Sequence, residues 1–211
     1  MNLRIDHAVT EGTFTLDGET FDVANNVWVV GNDEDCVVID APHDIDTIEK
    51  LVGERTLLAI LLTHAHDDHA RFAPELAERF DAPMLLHPGD KKLWALTHGD
   101  LEWDADLEDG DAFSIADHEL NVIHTPGHSP GSVCYLLRST TEGEPDQVFS
   151  GDTLFEGGPG ATGRSYSDRG QIEDSIREKL FSLDDATIVH TGHGPDTTIG
   201  AERERAKGDW L

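Results

Sequence analysis

Cysteine, methionine, tyrosine and basic residues are all scarce in this chain of 211 residues. Its 2 cysteines, Cys36 and Cys134, cannot supply a disulfide framework or a thiolate zinc knuckle. Each sits in an apolar, strand-like run, so buried free thiols are expected; a bridge would require the two strands to be neighbours. Only 15 basic residues stand against 43 acidic ones, a formal charge of −28, which argues against nucleic acid as a partner because phosphate backbones are gripped by Lys and Arg. The acidity reads first as solubility, suited to a salty cytoplasm, and only second as a field that repels polyanions. No apolar run is long enough to span a bilayer. Met1-Asn2-Leu3-Arg4-Ile5-Asp6 lacks the apolar core and small-residue cleavage site of a secretory signal, so a cytoplasmic protein without membrane association is expected. The length suits one sizeable core, and no low-complexity linker divides the chain, so residues 1–211 are expected to form a single domain.

What the sequence does contain is an apolar run, Leu57-Leu58-Ala59-Ile60-Leu61-Leu62, that ends abruptly at Thr63-His64-Ala65-His66-Asp67-Asp68-His69. A buried strand stopping there would present His64 and His66 from an extended segment, with Asp68 and His69 where a helix begins. Imidazoles with a carboxylate suit zinc, and also iron or manganese. The ordinary alternative is a helix start with Asp67 and Asp68 as favourable N-terminal acids and the histidines on the surface. Three further segments repeat the theme of apolar residues followed by a small residue and a ligand type. They are Asn121 to His128, Val148 to Asp152, and Thr187 to His193. Glycines in these segments allow sharp turns and close approach, so several strand ends can converge on one cleft.

The remaining pattern is coarse but readable. Gly12 to Asp40 alternates short apolar runs with turn residues and predicts antiparallel hairpins. Asp44 can cap a helix over Ile45 to Val52, and Phe72, Leu76, Ala77 and Phe80 mark another, with Pro74 tolerable only in its first turn. A strand over 83–87 leads to a short helix containing Leu93, Trp94 and Leu96. An acidic stretch over 98–110 reads as a solvated connector. Phe113 to Thr125 predicts a hairpin and Ser132 to Leu137 a strand. The glycine-dense 155–170 segment reads as a flexible loop, and it lacks the Lys and Ser/Thr ending of a phosphate-binding loop. Ile172, Ile176, Leu180 and Phe181 define a further helix, and residues 194–211 a last turn and helix.

The set HxHxDH at 64–69, then His128, Asp152 and His193 in that order, resembles the metallo-β-lactamase-fold hydrolases, in particular their compact hydroxyacylglutathione-hydrolase (glyoxalase II)-like branch. The resemblance spans nearly the whole chain. It implies a mixed α/β (α+β) fold, a four-layer αββα sandwich of two mixed sheets flanked by helices. It further implies two divalent metal ions, zinc first with iron or manganese as alternatives. His64, His66 and His128 would hold one, Asp68, His69 and His193 the other, and Asp152 would bridge them. Asp40 corresponds to a carboxylate behind the metal histidines, with a strand-ending turn aspartate as the alternative. His7, His43, His87, His98, His118, His124 and His190 match no ligand position.

Two ions sharing a water lower its pKa enough to provide a hydroxide nucleophile, with Asp68 and Asp152 in the catalytic centre. The expected reaction is hydrolysis of an S-acyl or S-formyl thioester of a small thiol, because a thiolate of pKa about 8.5 departs without a placed acid, whereas an amide or lactam nitrogen needs one. The bridging Asp152 also departs from the true β-lactamases. Only 18 residues follow His193, too few for a separate glutathione-binding domain. The Gly-Ala-Thr-Gly-Arg-Ser loop is similar to compact actinobacterial members, which makes mycothiol the candidate thiol. Arg164 and Tyr166 are candidate substrate contacts, with a structural ion pair and a packed ring as the alternative. Other readings are a mononuclear iron persulfide dioxygenase using His64, His128 and Asp152, a lactonase, and a metal-binding protein without catalysis. A homodimer is compatible with the sequence.

Overall fold

Alternating residues on the strands serve two different cores, and the layers follow from this. The computed structural model describes residues 3–209. Its first half contains β1 (Arg4–Leu16), β2 (Glu19–Gly31), β3 (Asp35–Ile39), α1 (Ile45–Val52), β4 (Thr56–Leu61), α2 (Asp67–Ala70), α3 (Ala73–Phe80), β5 (Met84–Leu86), α4 (Lys91–His98) and β6 (Ala105–Asp106). The second half continues with β7 (Ala112–Ile115), β8 (His118–His124), β9 (Val133–Leu137), β10 (Gln147–Gly151), β11 (Leu154–Phe155), β12 (Gly158–Pro159), α5 (Arg169–Glu178), β13 (Ile188–Thr191), β14 (Thr197–Thr198) and α6 (Ile199–Asp209).

Strands β1 to β6 form one six-stranded sheet in sequence order, antiparallel from β1 to β3 and parallel from β3 to β6. The other six-stranded sheet runs β14-β13-β10-β9-β8-β7; β10 and β13 pair in parallel and the remaining neighbours antiparallel. Parallel neighbours need a crossover, which α1 supplies between β3 and β4 and α5 between β10 and β13.

Val37, Ile39, Ala59 and Leu61 of the first sheet meet Val122, Val133, Tyr135 and Phe149 of the second in the middle core. The intervening residues point the other way. Val38, Ile60 and Leu62 pack under Ile48, Leu76 and Trp94, while Cys134, Leu136 and Val148 pack under Ile172, Ile176 and Ile199. Such strands are apolar on both faces, which is why they read as unbroken apolar runs. The result is two mixed sheets with helices on both outer faces.

Local chemistry sets the helix starts. Asp44 accepts from the Thr47 hydroxyl at 2.7 Å, Asp168 accepts from Gln171 N at 2.9 Å, and Pro74 lies in the first turn of α3. Some boundaries differ from the sequence reading. The first hairpin begins at Arg4, well before Gly12, because its outer half is half exposed and carries little apolar pattern. Leu180 and Phe181 fall in a 3₁₀ turn beyond α5, and the 155–170 segment contains the β11–β12 hairpin. The 98–110 segment contributes the edge strand β6, and with Trp94 it lines a surface cleft of about 690 Å³. The last helix is described as far as Asp209; the expected helix end at 210–211 lies outside the described residues. Cys36 and Cys134 are buried free thiols in different sheets, and burial pushes both up to about 11. No helix among the described residues is long and apolar enough to cross a membrane.

The two sheets are tied together where β4 ends. Tyr135, fully buried in β9, donates its hydroxyl to Leu62 O at 2.7 Å, and Val133 N donates to Thr63 O at 2.8 Å. These bonds anchor the backbone immediately before His64. Tyr135→Phe strands a buried carbonyl without its donor and should lower stability by about 1–3 kcal/mol, read as a fall in denaturant midpoint at unchanged slope.

Candidate metal centre

The segments that follow β4, β8, β10 and β13 carry the seven nominated ligands and bring them together. His64, His66 and His128 form one group, Asp68, His69 and His193 a second, and His64, His69 and Asp152 a third; donor atoms within each lie within 4.8 Å of one another. In the first group, His66 Nδ1 is 3.0 Å from His64 Nε2 and 2.9 Å from His128 Nε2. In the second, His193 Nε2 is 3.2 Å from His69 Nε2 and 3.3 Å from Asp68 Oδ2. Asp152 stands between them. Its Oδ1 is 3.2 Å from His69 Nε2, while Oδ2 is 3.4 Å from His193 Nε2 and 3.6 Å from His128 Nε2.

The backbone permits this crowding at Gly192, where a Cβ would stand 2.3 Å from Asp152 Oδ1 and 2.8 Å from His69 Cε1. Any other residue there would push the Asp152 carboxylate out of place.

Outer hydrogen bonds fix the tautomers. His69 Nδ1 lies 2.8 Å from Asp40 Oδ2, His128 Nδ1 2.9 Å from Ala161 O, and His193 Nδ1 2.8 Å from Ala24 O. His64 Nδ1 lies 3.0 Å from Thr63 Oγ1, whose own hydrogen goes to Asp40 Oδ2 at 2.8 Å. All four partners are acceptors, so each Nδ1 carries a proton, and in the neutral imidazole each Nε2 turns a lone pair inward. His66 has the opposite sense, with Nδ1 inward and its buried Nε2 lacking a hydrogen-bond partner beside the Phe14 ring. Lone pairs converging at about 3 Å repel one another unless a cation or proton lies between them. Asp152 Oδ1, likewise buried, has no hydrogen-bond donor. This donor set fits divalent metal ions.

The two halves differ in charge. Burial holds His64 well below the ordinary histidine range and His66 down to about 3, reinforced by the neighbouring imidazoles. Burial also opposes a charge on His69 and His193, but the carboxylates outweigh it: Asp152 and Asp68 raise His69 strongly and push His193 up to about 10. The same attraction overcomes burial at Asp68, held down to about 2, and at Asp152, held well below the carboxylate range.

Asp40 lies on the outer side of His69, next to its Nδ1. It adopts a left-handed φ of 62°, tolerable for aspartate, and accepts from Thr63 N at 2.7 Å as well as from the Thr63 hydroxyl and His69. Arg164 is engaged elsewhere. Its guanidinium pairs with Glu19 at 2.9 Å and lies 4.4 Å from the Phe21 ring centre, joining the 155–170 segment to the β1–β2 hairpin. Tyr166 is exposed on the same segment at a left-handed φ of 71°. Several other histidines have structural partners. His7 stacks on Trp28, His87 on His124, and His190 lies within 2.8 Å of Asp196 and 2.6 Å of Gln147.

Three residues that the motif does not nominate support the centre. Buried Asp90 accepts from Ala65 N at 2.8 Å, Ser129 Oγ at 2.7 Å and Gly131 N at 2.6 Å, joining the first ligand segment to the loop that carries His128. Asn26 donates to Thr191 O and Gly194 O, both at 2.9 Å, and so holds the turn around His193 against β2. Asn25 presents its amide to the second group, with Nδ2 3.1 Å from Asp68 Oδ2. The available signal was an Asn pair leading straight into the apolar run Val27 to Val30, where strand alternation expects burial.

A proton on His69 or His193 competes with a metal ion, because a ligating imidazole must be neutral. With His193 at about 10, binding at the second group should release protons at pH 8 and weaken as pH falls. Binding at the first group, where burial holds His64 well down and His66 at about 3, should depend less steeply on pH. Calorimetry in buffers of different ionisation enthalpy checks both halves; equal proton release at the two sites would contradict the charge asymmetry.

Residues 20–193 match the family model described as the Metallo-beta-lactamase superfamily. The chain is 35% identical over 196 residues to the "Probable metallo-hydrolase YqgX" of Bacillus subtilis strain 168, covering 85% of this chain and 90% of the relative. It is 33% identical to the hydroxyacylglutathione hydrolase GloC of Haemophilus influenzae, covering 84% and 89%. Similar solved structures include TTHA1623 in a di-iron-bound form (35% identity, TM-score 0.74, 87% and 94% covered) and the B3 metallo-beta-lactamase BLEG-1 (30%, TM-score 0.74, 92% and 97%). ETHE1 from Myxococcus xanthus is similar at 27% identity and a TM-score of 0.72, with 93% and 82% covered. With its two-sheet sandwich, its His/Asp cluster and this match over most of its length, the chain belongs to the metallo-beta-lactamase superfamily.

Proposed function

We propose that this chain is a dinuclear metal-dependent hydrolase that cleaves S-acyl or S-formyl thioesters of a low-molecular-weight thiol. The observation that carries the reading is Asp152, whose two carboxylate oxygens face histidines of both donor groups at 3.2–3.6 Å. Bound there, two divalent ions would supply a water of lowered pKa and Lewis acidity toward a carbonyl. His64, His66 and His128 would hold the first ion, Asp68, His69 and His193 the second, and Asp152 both. Asp40 keeps the His69 lone pair directed inward, and Ala161 O and Ala24 O do the same for His128 and His193. The similarity to a hydroxyacylglutathione hydrolase supports a thioester in preference to an amide. A thiolate leaves readily as an anion, so the site needs no additional acid. The similarity to BLEG-1 makes β-lactams the control substrate.

Zinc is the first choice of metal, and the similarity to a di-iron protein supports iron as the alternative. A mononuclear iron persulfide dioxygenase would use His64, His128 and Asp152 alone. That reading gives no task to the inward-facing nitrogens of His69 and His193.

Protein purified without added metal is expected to contain about two ions per chain and to hydrolyse glutathione or mycothiol thioesters. One iron per chain, with oxygen uptake on a thiol persulfide and no thioester cleavage, would overturn the proposal. Asp152→Ala should lose both ions together and reduce turnover by more than about 100-fold, beyond what losing an outer partner of a metal ligand costs. Elemental analysis alongside the thioester assay reads both.

A further inference from the structure

Beyond Asp152 the chain forms the β11–β12 hairpin and then passes back over that ligand. Gly160 N donates to Thr153 O at 3.1 Å, and a Cβ on Gly160 would stand 1.8 Å from Asp152 O. The next residue, Ala161, supplies the carbonyl that faces His128 Nδ1, and the Phe155 ring lies 6.1 Å from the His193 ring. The hairpin thus reaches both donor groups. With no slack at Gly160, any shift of the hairpin passes directly to Asp152 and Ala161.

Glu202 holds the hairpin in place. It is fully buried in the first turn of α6, where the helix dipole favours negative charge. Its Oε2 accepts from Gly157 N at 3.0 Å, in the turn between β11 and β12, and Gly157 presents that N–H from a φ of 104° that favours glycine. Its Oε1 accepts from Thr197 Oγ1 at 2.6 Å, in β14, the strand that follows the His193 turn, and from Arg205 at 3.1 Å. A buried carboxylate is costly unless donors meet its oxygens in this way. One side chain therefore joins the segment carrying Asp152 and Ala161 to the segment carrying His193.

We propose that Glu202 is a positioning residue of the metal centre, which holds the β11–β12 hairpin and β14 at a fixed separation and so sets where Asp152 stands between the two donor groups. The inference rests on the dinuclear reading above and adds no ligand to it. Glu202 acts through its hydrogen bonds and not through its charge, so glutamine can replace it. The amide offers Oε1 to Gly157 N and its NH2 to Thr197 Oγ1, because a hydroxyl accepts as well as donates. Arg205, with 43% of its side chain exposed, turns to solvent.

The test is a zinc titration of metal-free protein against a chromophoric chelator, with hydrogen exchange at the Gly157 amide followed in parallel, for wild type, Glu202→Ala, Glu202→Gln and Thr197→Val. Glu202→Ala should weaken both ions by about 10-fold, the lower end of what losing an outer partner of a metal ligand costs, and should speed exchange at Gly157. Glu202→Gln should bind both ions as wild type does. Thr197→Val cuts only the arm to β14 and should weaken the second ion alone. An alanine variant that loses stability yet binds both ions like wild type overturns the assignment, and so does a glutamine variant as weak as the alanine one. Either result leaves the dinuclear reading intact. Wild-type protein that takes up a single ion overturns both. Should the alanine variant fail to fold, Thr197→Val decides: weakening of both ions, or of neither, overturns the assignment.

Discussion

Everything in this centre depends on where the imidazole protons are kept. Four of the five histidines have their outer nitrogen committed to an acceptor: Thr63 Oγ1 for His64, Asp40 for His69, and the Ala161 and Ala24 carbonyls for His128 and His193. That commitment leaves the Nε2 lone pairs facing inward, where they crowd one another in the absence of positive charge. The constraint is set outside the cluster, by strands and loops that have no other part in the chemistry. It makes the arrangement a receptor for cations before any ligand distance is considered.

The sandwich keeps those acceptors in register. β2 leans against the turn after β13 through Asn26 and Trp28, both of which donate to Thr191 O. β9 holds the end of β4 through Tyr135 and Val133. Asp90 joins the Ala65 backbone to the loop around Gly131. Each bond crosses from one sheet or loop to another, and each ends within a few residues of a ligand. The middle core between the sheets therefore does more than exclude water: its edges set the distance between the two donor groups.

Charge divides the work between those groups. In the first, burial keeps His64 and His66 neutral, while the second carries Asp68 and shares Asp152, which hold its histidines strongly basic. The two halves thus offer different environments to chemically similar ions. Beyond the ligands, Arg164 shows how a cation in an acidic chain is claimed: Glu19 and the Phe21 ring hold it on the β1–β2 hairpin, so its contribution nearest at hand is to the shape of the cleft rim.

Much of this was legible in the one-dimensional pattern. β3, β4, β9 and β10 announce themselves as apolar runs because both faces are buried, and His64, His66, Asp68, His69, His128, Asp152 and His193 stand out because ligand types follow those runs directly. The β11–β12 hairpin and the outer half of β1 were hidden, since short or half-exposed strands leave weak alternation. Asn25, Asn26, Asp90 and the Glu19 partner of Arg164 were hidden for a different reason. Nothing in the order of residues says that Asn25 lies beside His193, 168 positions away, or that Asp90 lies beneath Gly131. Periodicity and residue type, which are local, determined the main strands and singled out the donor types, while the layer order followed from the family resemblance. Tautomers and charge asymmetry depend on hydrogen bonds between distant segments, and those distances exist only once the two sheets have closed on their common core.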